Sequence, residues 1–134
     1  MKANSFKSIW YVLSVLLIPL IFFIGKQNEK KMEEGRQRED REYTPIDNSP
    51  REFKGMIIST KMSAYWKGTQ VVHLSNDKFT TSSSTRNYEY GGGEMASFMH
   101  VGDSIYKPAN TDSIYIYRGN KTYYFRLGMD INKK

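Results

Sequence analysis

One uninterrupted apolar run near the N-terminus constrains this chain more than any other feature. Residues 9–25, IWYVLSVLLIPLIFFIG, carry no charge, whereas Lys2 and Lys7 precede them and a charged segment begins at Lys26. As a helix these seventeen residues would cover about 25 Å, close to the lower limit for a bilayer core of about 30 Å. The run therefore predicts a transmembrane anchor, whose membrane-facing side chains would be Ile9, Trp10, Tyr11, Val12, Leu13, Leu16, Leu17, Ile18, Leu20, Ile21, Phe22, Phe23 and Ile24.

The end of this run distinguishes an anchor from a cleaved signal. A secretory signal ends in a small-residue cleavage site, but here Ile24, Gly25 and Lys26 follow two phenylalanines with no A-x-A pattern. The chain has no cysteine, which excludes a lipoprotein attachment site. A short basic head usually stays in the cytoplasm. We therefore expect a single-pass protein of the bacterial inner membrane with a periplasmic C-terminal domain; the alternatives are a cleaved signal and a buried soluble helix.

Composition changes divide the rest of the chain. Residues 26–42 hold six basic and six acidic side chains with Met32 as their only apolar one, which predicts a charged helical stalk without a coiled-coil seam. Two prolines in YTPIDNSP predict a linker. The predicted organisation is listed in chain order: short basic head 1–8, transmembrane anchor 9–25, stalk 26–42, linker 43–50, small β-domain 51–130 and basic tail 131–134.

After the linker the apolar side chains alternate with polar ones, as in β-strands. A two-residue Gly119-Asn120 connection between the last two runs indicates a hairpin. A short helix over 94–100 and a glycine-rich mobile loop over 85–93 interrupt the pattern. The predicted strands are 53–62, 69–75, 78–84, 104–107, 113–118 and 121–127. Short strands with one helix predict a small antiparallel SH3-like or OB-like barrel, with an open α+β sheet as the alternative.

No motif in the chain predicts catalysis. Gly102-Asp103-Ser104-Ile105 resembles the opening motif of GDSL-type esterases, a family that also needs a downstream histidine, and none follows here. A serine without a positioned base is a weak nucleophile. The two histidines, His73 and His100, are too few for a zinc site in a chain without cysteine. We therefore expect no enzyme activity, no catalytic residue, no metal and no cofactor.

The aromatic residues give the strongest functional signal. Ten tyrosines are many for 134 residues, and Tyr115, Tyr117 and Tyr124 alternate with Ile114, Ile116 and Phe125, which places them on the opposite face of the hairpin. A covering element inside the fold is the alternative explanation. The candidate partner-binding residues are Tyr65, Trp66, Tyr115, Tyr117, Arg118, Tyr124 and Arg126. The tetrapeptide 103–106, DSIY, recurs at 112–115, which we interpret as two similar turns entering strands.

The whole layout of one span, a charged segment and a β-domain with a VGDSIYK turn resembles uncharacterised small single-pass bacterial envelope proteins, a likeness that implies no activity. The leading hypothesis is a non-enzymatic, membrane-anchored interaction module, an accessory or assembly subunit of a bacterial membrane or envelope complex. Its partners would be membrane lipid, through the N-terminal helix, and another membrane or envelope protein. One alternative is a glycan- or lipid-binding β-domain at the membrane surface. The other is a cytoplasm-facing OB-like nucleic-acid binder, the least favoured of the three.

Overall fold

The structure, a computed structural model, describes the backbone of residues 3–81 and 84–134 and the side chains of residues 14–81 and 84–134. The anchor side chains Ile9, Trp10, Tyr11, Val12 and Leu13 lie outside the described residues, as do residues 82–83 of the predicted third strand. The chain divides into two compact units, Met1–Arg38 and Glu39–Lys134.

One long helix forms the N-terminal part of the chain. Helix α1 runs over Ala3–Glu42 with Pro19 inside it, so the predicted anchor and stalk belong to a single helical element. Within the residues that the structure describes, no helix is long and apolar enough to cross a membrane. The transmembrane assignment of residues 9–25 therefore stays a prediction.

The second unit is mainly β-structure, as predicted. A seven-stranded sheet has the order β1-β4-β3-β2-β6-β7-β8, and β5 and β9 form a separate two-stranded parallel pair. Helix α2, at Met95–Phe98, is the predicted short helix. The strands are β1 Thr44–Pro45, β2 Phe53–Met62, β3 Gln70–Leu74, β4 Lys78–Thr81, β5 Arg86–Asn87, β6 Ser104–Lys107, β7 Ser113–Arg118, β8 Lys121–Arg126 and β9 Asp130–Ile131.

Strand β2 joins the two halves of the large sheet. Its first residues, 53–56, pair antiparallel with β6, whereas 57–62 pair antiparallel with β3. The register shifts between Ile57 and Ser59, and such a bulge bends a strand and increases its twist. Among the described residues β1 and β8 end the strand order without pairing to each other. The pairings thus show a mainly antiparallel sheet in which β2 pairs with both halves.

The hydrophobic core lies on the inner face of this sheet. Phe53 and Phe79 are fully buried and meet edge to face, with ring centroids 5.7 Å apart. Ile114, Ile116 and Phe125 contribute the inward positions of the β7–β8 hairpin. At the turn Gly119 has a positive φ of 57°, and Asn120 does not, the pattern of a type II′ hairpin. The predicted hairpin is confirmed, with β8 ending at Arg126.

The segment predicted as a linker, 43–50, belongs instead to the folded unit. Ile46 is fully buried, and Thr44 and Pro45 pair in parallel with β4. Lys107, itself only 1% exposed, donates hydrogen bonds to the carbonyl oxygens of Ser49 (2.7 Å) and Arg51 (3.1 Å). The linker prediction is therefore corrected: turn-forming residues stop the helix, but the segment then packs on the core.

The predicted glycine-rich loop over 85–93 also contains regular structure. Strand β5 pairs with β9, and a 3-10 turn over Tyr88–Tyr90 follows it. The ring of Tyr90 packs on Phe98 (5.7 Å between centroids) and Phe125 (5.5 Å). These aromatic contacts fix the segment against the core, a tertiary effect that glycine content alone does not reveal.

Candidate functional site

A row of one lysine and three tyrosines crosses the outer face of the sheet. The strand register pairs Lys54 with Tyr106, Tyr106 with Tyr115, and Tyr115 with Tyr124. Directly paired residues share a face of the sheet, so these four side chains stand side by side on β2, β6, β7 and β8. At strand spacings of nearly 5 Å, the row spans about 14 Å. The rings of Tyr115 and Tyr124 are in contact, with centroids 5.5 Å apart.

The alternation of residues explains why this row faces outward. Ile105, Ile114 and Ile116 point into the core and are at most 1% exposed, and successive side chains of a strand point to opposite faces. The tyrosines that follow or separate these isoleucines must therefore point away from the core. The repeated DSIY sequence thus gives β6 and β7 the same in-and-out order, and their pairing aligns Tyr106 with Tyr115.

We call the outer surface of these four strands the tyrosine face. A second row, beside the first, pairs Met56 with Ser104, Ser104 with Tyr117, and Tyr117 with Thr122. None of its side chains is buried, and Tyr117 is 39% exposed. The tyrosine face comprises Lys54, Met56, Ser104, Tyr106, Ser113, Tyr115, Tyr117, Thr122, Tyr124 and Arg126.

An open groove of about 630 Å³ lies at one side of the tyrosine face. Its walls include Glu52 and Lys54 from the β2 side and Tyr106 and Tyr117 from β6 and β7. Met56, 48% exposed, also lines it. Small-molecule sites are usually more enclosed and more apolar. The shape of this groove suits part of an extended ligand that lies across the strands.

Two cations of the tyrosine face form no ion pair among the described residues. Residues 43–134 contain four arginines, and Arg51, Arg86 and Arg118 each form an ion pair at 2.7–2.9 Å. In the part of the chain that the structure describes, neither Arg126 nor Lys54 forms one. Both side chains are exposed. The face therefore offers positive charge to a ligand without first breaking an internal salt bridge.

The adjoining edge of the sheet is closed to strand addition at its centre. The backbone N–H of Tyr124 donates to the Tyr90 hydroxyl (3.2 Å), and its carbonyl accepts from the Asn87 side-chain amide (2.8 Å). The carbonyl of Arg126 accepts from the N–H of Met129 (3.1 Å). A peptide that joins a sheet as an extra strand needs these main-chain groups. Recognition at this site therefore depends on the side chains of the face.

Comparison with known proteins gave no family assignment. No family model matches the chain, and no curated protein or solved structure matches it either.

Arg118, predicted as a partner-binding residue, lies on the opposite face of β7 from the tyrosines. Its Nε and Nη2 donate to the two carboxylate oxygens of Asp103 (2.8 and 2.7 Å), and Nη2 also donates to the Phe98 carbonyl (2.6 Å). The guanidinium stacks on the rings of Phe98 and Tyr123. Burial would raise the pKa of Asp103, but hydrogen bonds from Arg118 and the His100 N–H lower it. The structure thus gives Arg118 an internal role.

Tyr65 and Trp66 are also separate from the tyrosine face. They lie in the turn after Met62, at the far end of β2 from the residues that pair with β6. Their backbone N–H groups both donate to the Ser63 hydroxyl (3.1 and 2.9 Å), which in turn donates to Glu39 (2.6 Å). Trp66 is 41% exposed and Tyr65 is half-buried. The seven predicted partner-binding residues therefore occupy three places rather than one.

The residues considered for catalysis have other contacts. Asp103 binds Arg118, so it does not orient a histidine toward Ser104, which is exposed on the tyrosine face. His73 forms a 3.0 Å hydrogen bond between its Nε2 and the Tyr43 hydroxyl. Burial, helped by the charges of Lys78 and Lys61, lowers the pKa of His73. Among the described residues no cluster of three or more His, Cys, Asp or Glu side chains is arranged to hold a metal ion.

Sequence reasoning missed six members of the tyrosine face, namely Lys54, Met56, Ser104, Tyr106, Ser113 and Thr122. The DSIY repeat was the signal for Tyr106, because identical alternation in two strands puts the two tyrosines on equivalent faces. No local signal identifies Lys54 and Met56, since they reach this surface only through the pairing of β2 with β6.

Proposed function

We propose that this protein is a non-enzymatic interaction module, anchored in a bacterial inner membrane and acting as an accessory subunit of an envelope assembly. The observation that carries the proposal is the row of exposed Lys54 and half-buried Tyr106, Tyr115 and Tyr124 on the outer surface of the sheet. Tyrosine supplies a large contact area together with a hydroxyl group, and it is enriched in recognition surfaces. The tyrosine face is the proposed contact surface.

The membrane anchor of this proposal is supported by sequence and by exposure. Residues 9–25 carry no charge, and the large apolar side chains described within them are between 48% and 71% exposed. Consecutive positions of a helix are about 100° apart, so these side chains occupy every face of α1, a pattern that needs an apolar environment all round. They are Val15, Leu16, Leu17, Ile18, Leu20, Ile21, Phe22, Phe23 and Ile24.

The architecture that we propose for the domain is a barrel-like sheet of the SH3-like or OB-like kind. The bend in β2 supports it, because one strand serves two groups of strands that enclose a common core. Barrels of this kind use the outer surface of their strands and loops for ligands. Fold likeness alone does not define function, so the proposed role depends on the residues of the tyrosine face.

The first test concerns the anchor and the orientation of the domain. Full-length protein should remain in the membrane fraction after alkaline carbonate washing, and its intact mass should include residues 9–25. A periplasm-active phosphatase fused after Lys134 should be active. Loss of the N-terminus or release by carbonate would refute the anchor. A silent phosphatase with a fluorescent cytoplasmic reporter at the same position would refute the orientation and favour nucleic acid as the ligand.

The second test concerns the tyrosine face. Full-length protein that carries both Tyr115→Ala and Tyr117→Ala is purified in mild detergent beside the wild-type protein. The material that stays bound to each protein is then compared. Interface tyrosines that act as hot spots cost about 2 kcal/mol or more when truncated, so bound material should be lost. Tyr88→Ala, on the 3-10 turn outside the face, is the matched control and should retain it. Equal retention by all three proteins, with unchanged melting temperatures, would refute the proposed surface.

A further inference from the structure

The chemistry of the tyrosine face identifies the class of its ligand. We propose that it binds an acidic polysaccharide, a hydroxyl-rich chain that carries carboxylates, laid across strands β2, β6, β7 and β8. This inference rests on the proposed function, since it assumes that the tyrosine face is a binding surface. It adds the identity of the ligand class, which neither the anchor nor the fold specifies.

Aromatic rings in a row suit the flat surface of a sugar. The C–H groups on one side of a pyranose form an apolar patch that packs on an aromatic ring, while its hydroxyls remain at the periphery. Tyr106, Tyr115 and Tyr124 provide successive rings along the row of about 14 Å. The exposed Ser104 and Thr122 in the neighbouring row offer hydroxyls that both donate and accept hydrogen bonds.

The charges of the face favour a carboxylate-bearing chain over a neutral one. Lys54 stands at one end of the tyrosine row, and Arg126 lies on the last strand, two residues from Tyr124. Both are exposed, and among the described residues neither is used in an ion pair. Hydrogen bonds from such cations to carboxylates are stronger than those between neutral groups. Glu52, at the rim of the groove, is the acid that limits the positive charge there.

The same charges do not suit nucleic acid, and the sheet edge does not suit an added peptide strand. Nucleic-acid binders neutralise many phosphates with closely placed Lys and Arg, whereas the tyrosine face has two cations over a row of about 14 Å. At the adjoining edge, the main-chain groups of Tyr124 are already bound by Tyr90 and Asn87. A carboxylate-bearing chain that is held by a few side chains fits both observations.

The test uses full-length protein in lipid nanodiscs and polymers of defined chemistry. Binding is measured by calorimetry to polygalacturonate, alginate and hyaluronate, all of which carry carboxylates. Methyl-esterified polygalacturonate is the matched neutral polymer, and oligothymidylate is the polymer that carries phosphates instead of carboxylates. A proline-rich peptide represents a protein ligand. We expect binding to at least one carboxylate polymer, weaker binding to the methyl ester, and little binding to oligothymidylate.

Variants then locate the site. Tyr115→Ala should weaken binding about tenfold or more, whereas Tyr115→Phe should keep most of it because the ring remains. Lys54→Gln should weaken binding several-fold, while Lys61→Gln, an exposed lysine on the same strand that pairs with β3 instead of β6, should not. If Tyr115→Ala lowers the melting temperature, the comparison of Lys54→Gln with Lys61→Gln decides.

Several results would overturn the inference. The first is failure of the wild-type protein to bind any of the three carboxylate polymers. The second is binding of oligothymidylate or of the methyl ester as tightly as the carboxylate polymers. The third is wild-type affinity for the carboxylate polymers in both Tyr115→Ala and Lys54→Gln. Binding of the proline-rich peptide alone would also overturn it but would leave the proposed interaction module intact. Failure of the proposed function itself would be recognised separately, by the membrane fractionation and reporter fusions.

Discussion

Replacing Arg118 should destabilise the β-domain, because the structure uses this residue inside the fold. Its guanidinium donates two hydrogen bonds to Asp103 and one to the Phe98 carbonyl. The Asp103 side chain is 3% exposed, whereas that of Arg118 is 33% exposed. Arg118→Ala would therefore leave a buried carboxylate whose remaining hydrogen bond comes from the His100 N–H, at 2.9 Å.

The magnitude follows from this asymmetry. Removing one partner of a buried ion pair costs about 3–5 kcal/mol, and partial exposure of Arg118 reduces that figure because water screens the pair. We expect Arg118→Ala to lower the free energy of unfolding by about 2–4 kcal/mol. Asp103→Asn keeps an acceptor for the His100 N–H and leaves the uncompensated charge on the more exposed partner, so it should cost about 1–2 kcal/mol.

Urea unfolding of the full-length protein in detergent, followed by near-ultraviolet circular dichroism, measures these differences. Arg126→Ala is the matched control, since this exposed arginine should change stability by less than about 0.5 kcal/mol. Because the pKa of Asp103 is lowered, its ionised side chain contributes fully to the free energy of unfolding above about pH 4. This contribution is lost as the pH falls through the lowered pKa. Equal stabilities of Arg118→Ala and Arg126→Ala at pH 7 would refute the assignment.

Three further predictions concern other parts of the domain. Lys107→Met should cost about 1–3 kcal/mol, because it removes the donor to the Ser49 and Arg51 carbonyls, and hydrogen exchange should rise in 49–51; unchanged exchange would contradict this. Since the pKa of His73 is lowered in the folded protein, the free energy of unfolding should fall as the pH drops from about 6.5 toward that lowered pKa. Urea unfolding of His73→Gln should show a smaller fall, and a pH profile identical to that of the wild-type protein would argue against this role of His73. Gly55→Ala should cost about 1–3 kcal/mol in thermal unfolding because the new Cβ lies 3.2 Å from Leu74 Cβ as well as 2.6 Å from Asn76 Oδ1. Gly93→Ala meets no atom within 4 Å and should be neutral; equal melting temperatures would count against this packing.

The sequence predicted the strands better than it predicted the connecting segments and the contacts between distant side chains. Alternation located β2, β6 and the β7–β8 hairpin, because each buries one face and leaves the other exposed. The same local reasoning failed at 43–50, where buried Ile46 packs a turn-rich segment against the core. It also failed at Arg118, since the end of a strand does not reveal the Asp103 that approaches from another loop.

The candidate site was only partly predictable for a related reason. Tyr115, Tyr117 and Tyr124 share a hairpin, so their common face followed from spacing. Tyr106 and Lys54 join them through the pairings of β6 with β7 and of β2 with β6. Strand order and register depend on long-range packing, which the sequence of any one strand does not specify.

The most direct test of the central claim is site-specific photocrosslinking in living cells. A photoreactive benzoylphenylalanine replaces Tyr117, which is 39% exposed on the tyrosine face, or Met129, which is 43% exposed outside it. The account predicts a retarded adduct at position 117 after irradiation, sensitive to glycan-degrading enzymes, and little adduct at position 129. Adducts of equal yield at both positions, or none at position 117, would contradict the claim that the tyrosine face is the binding surface.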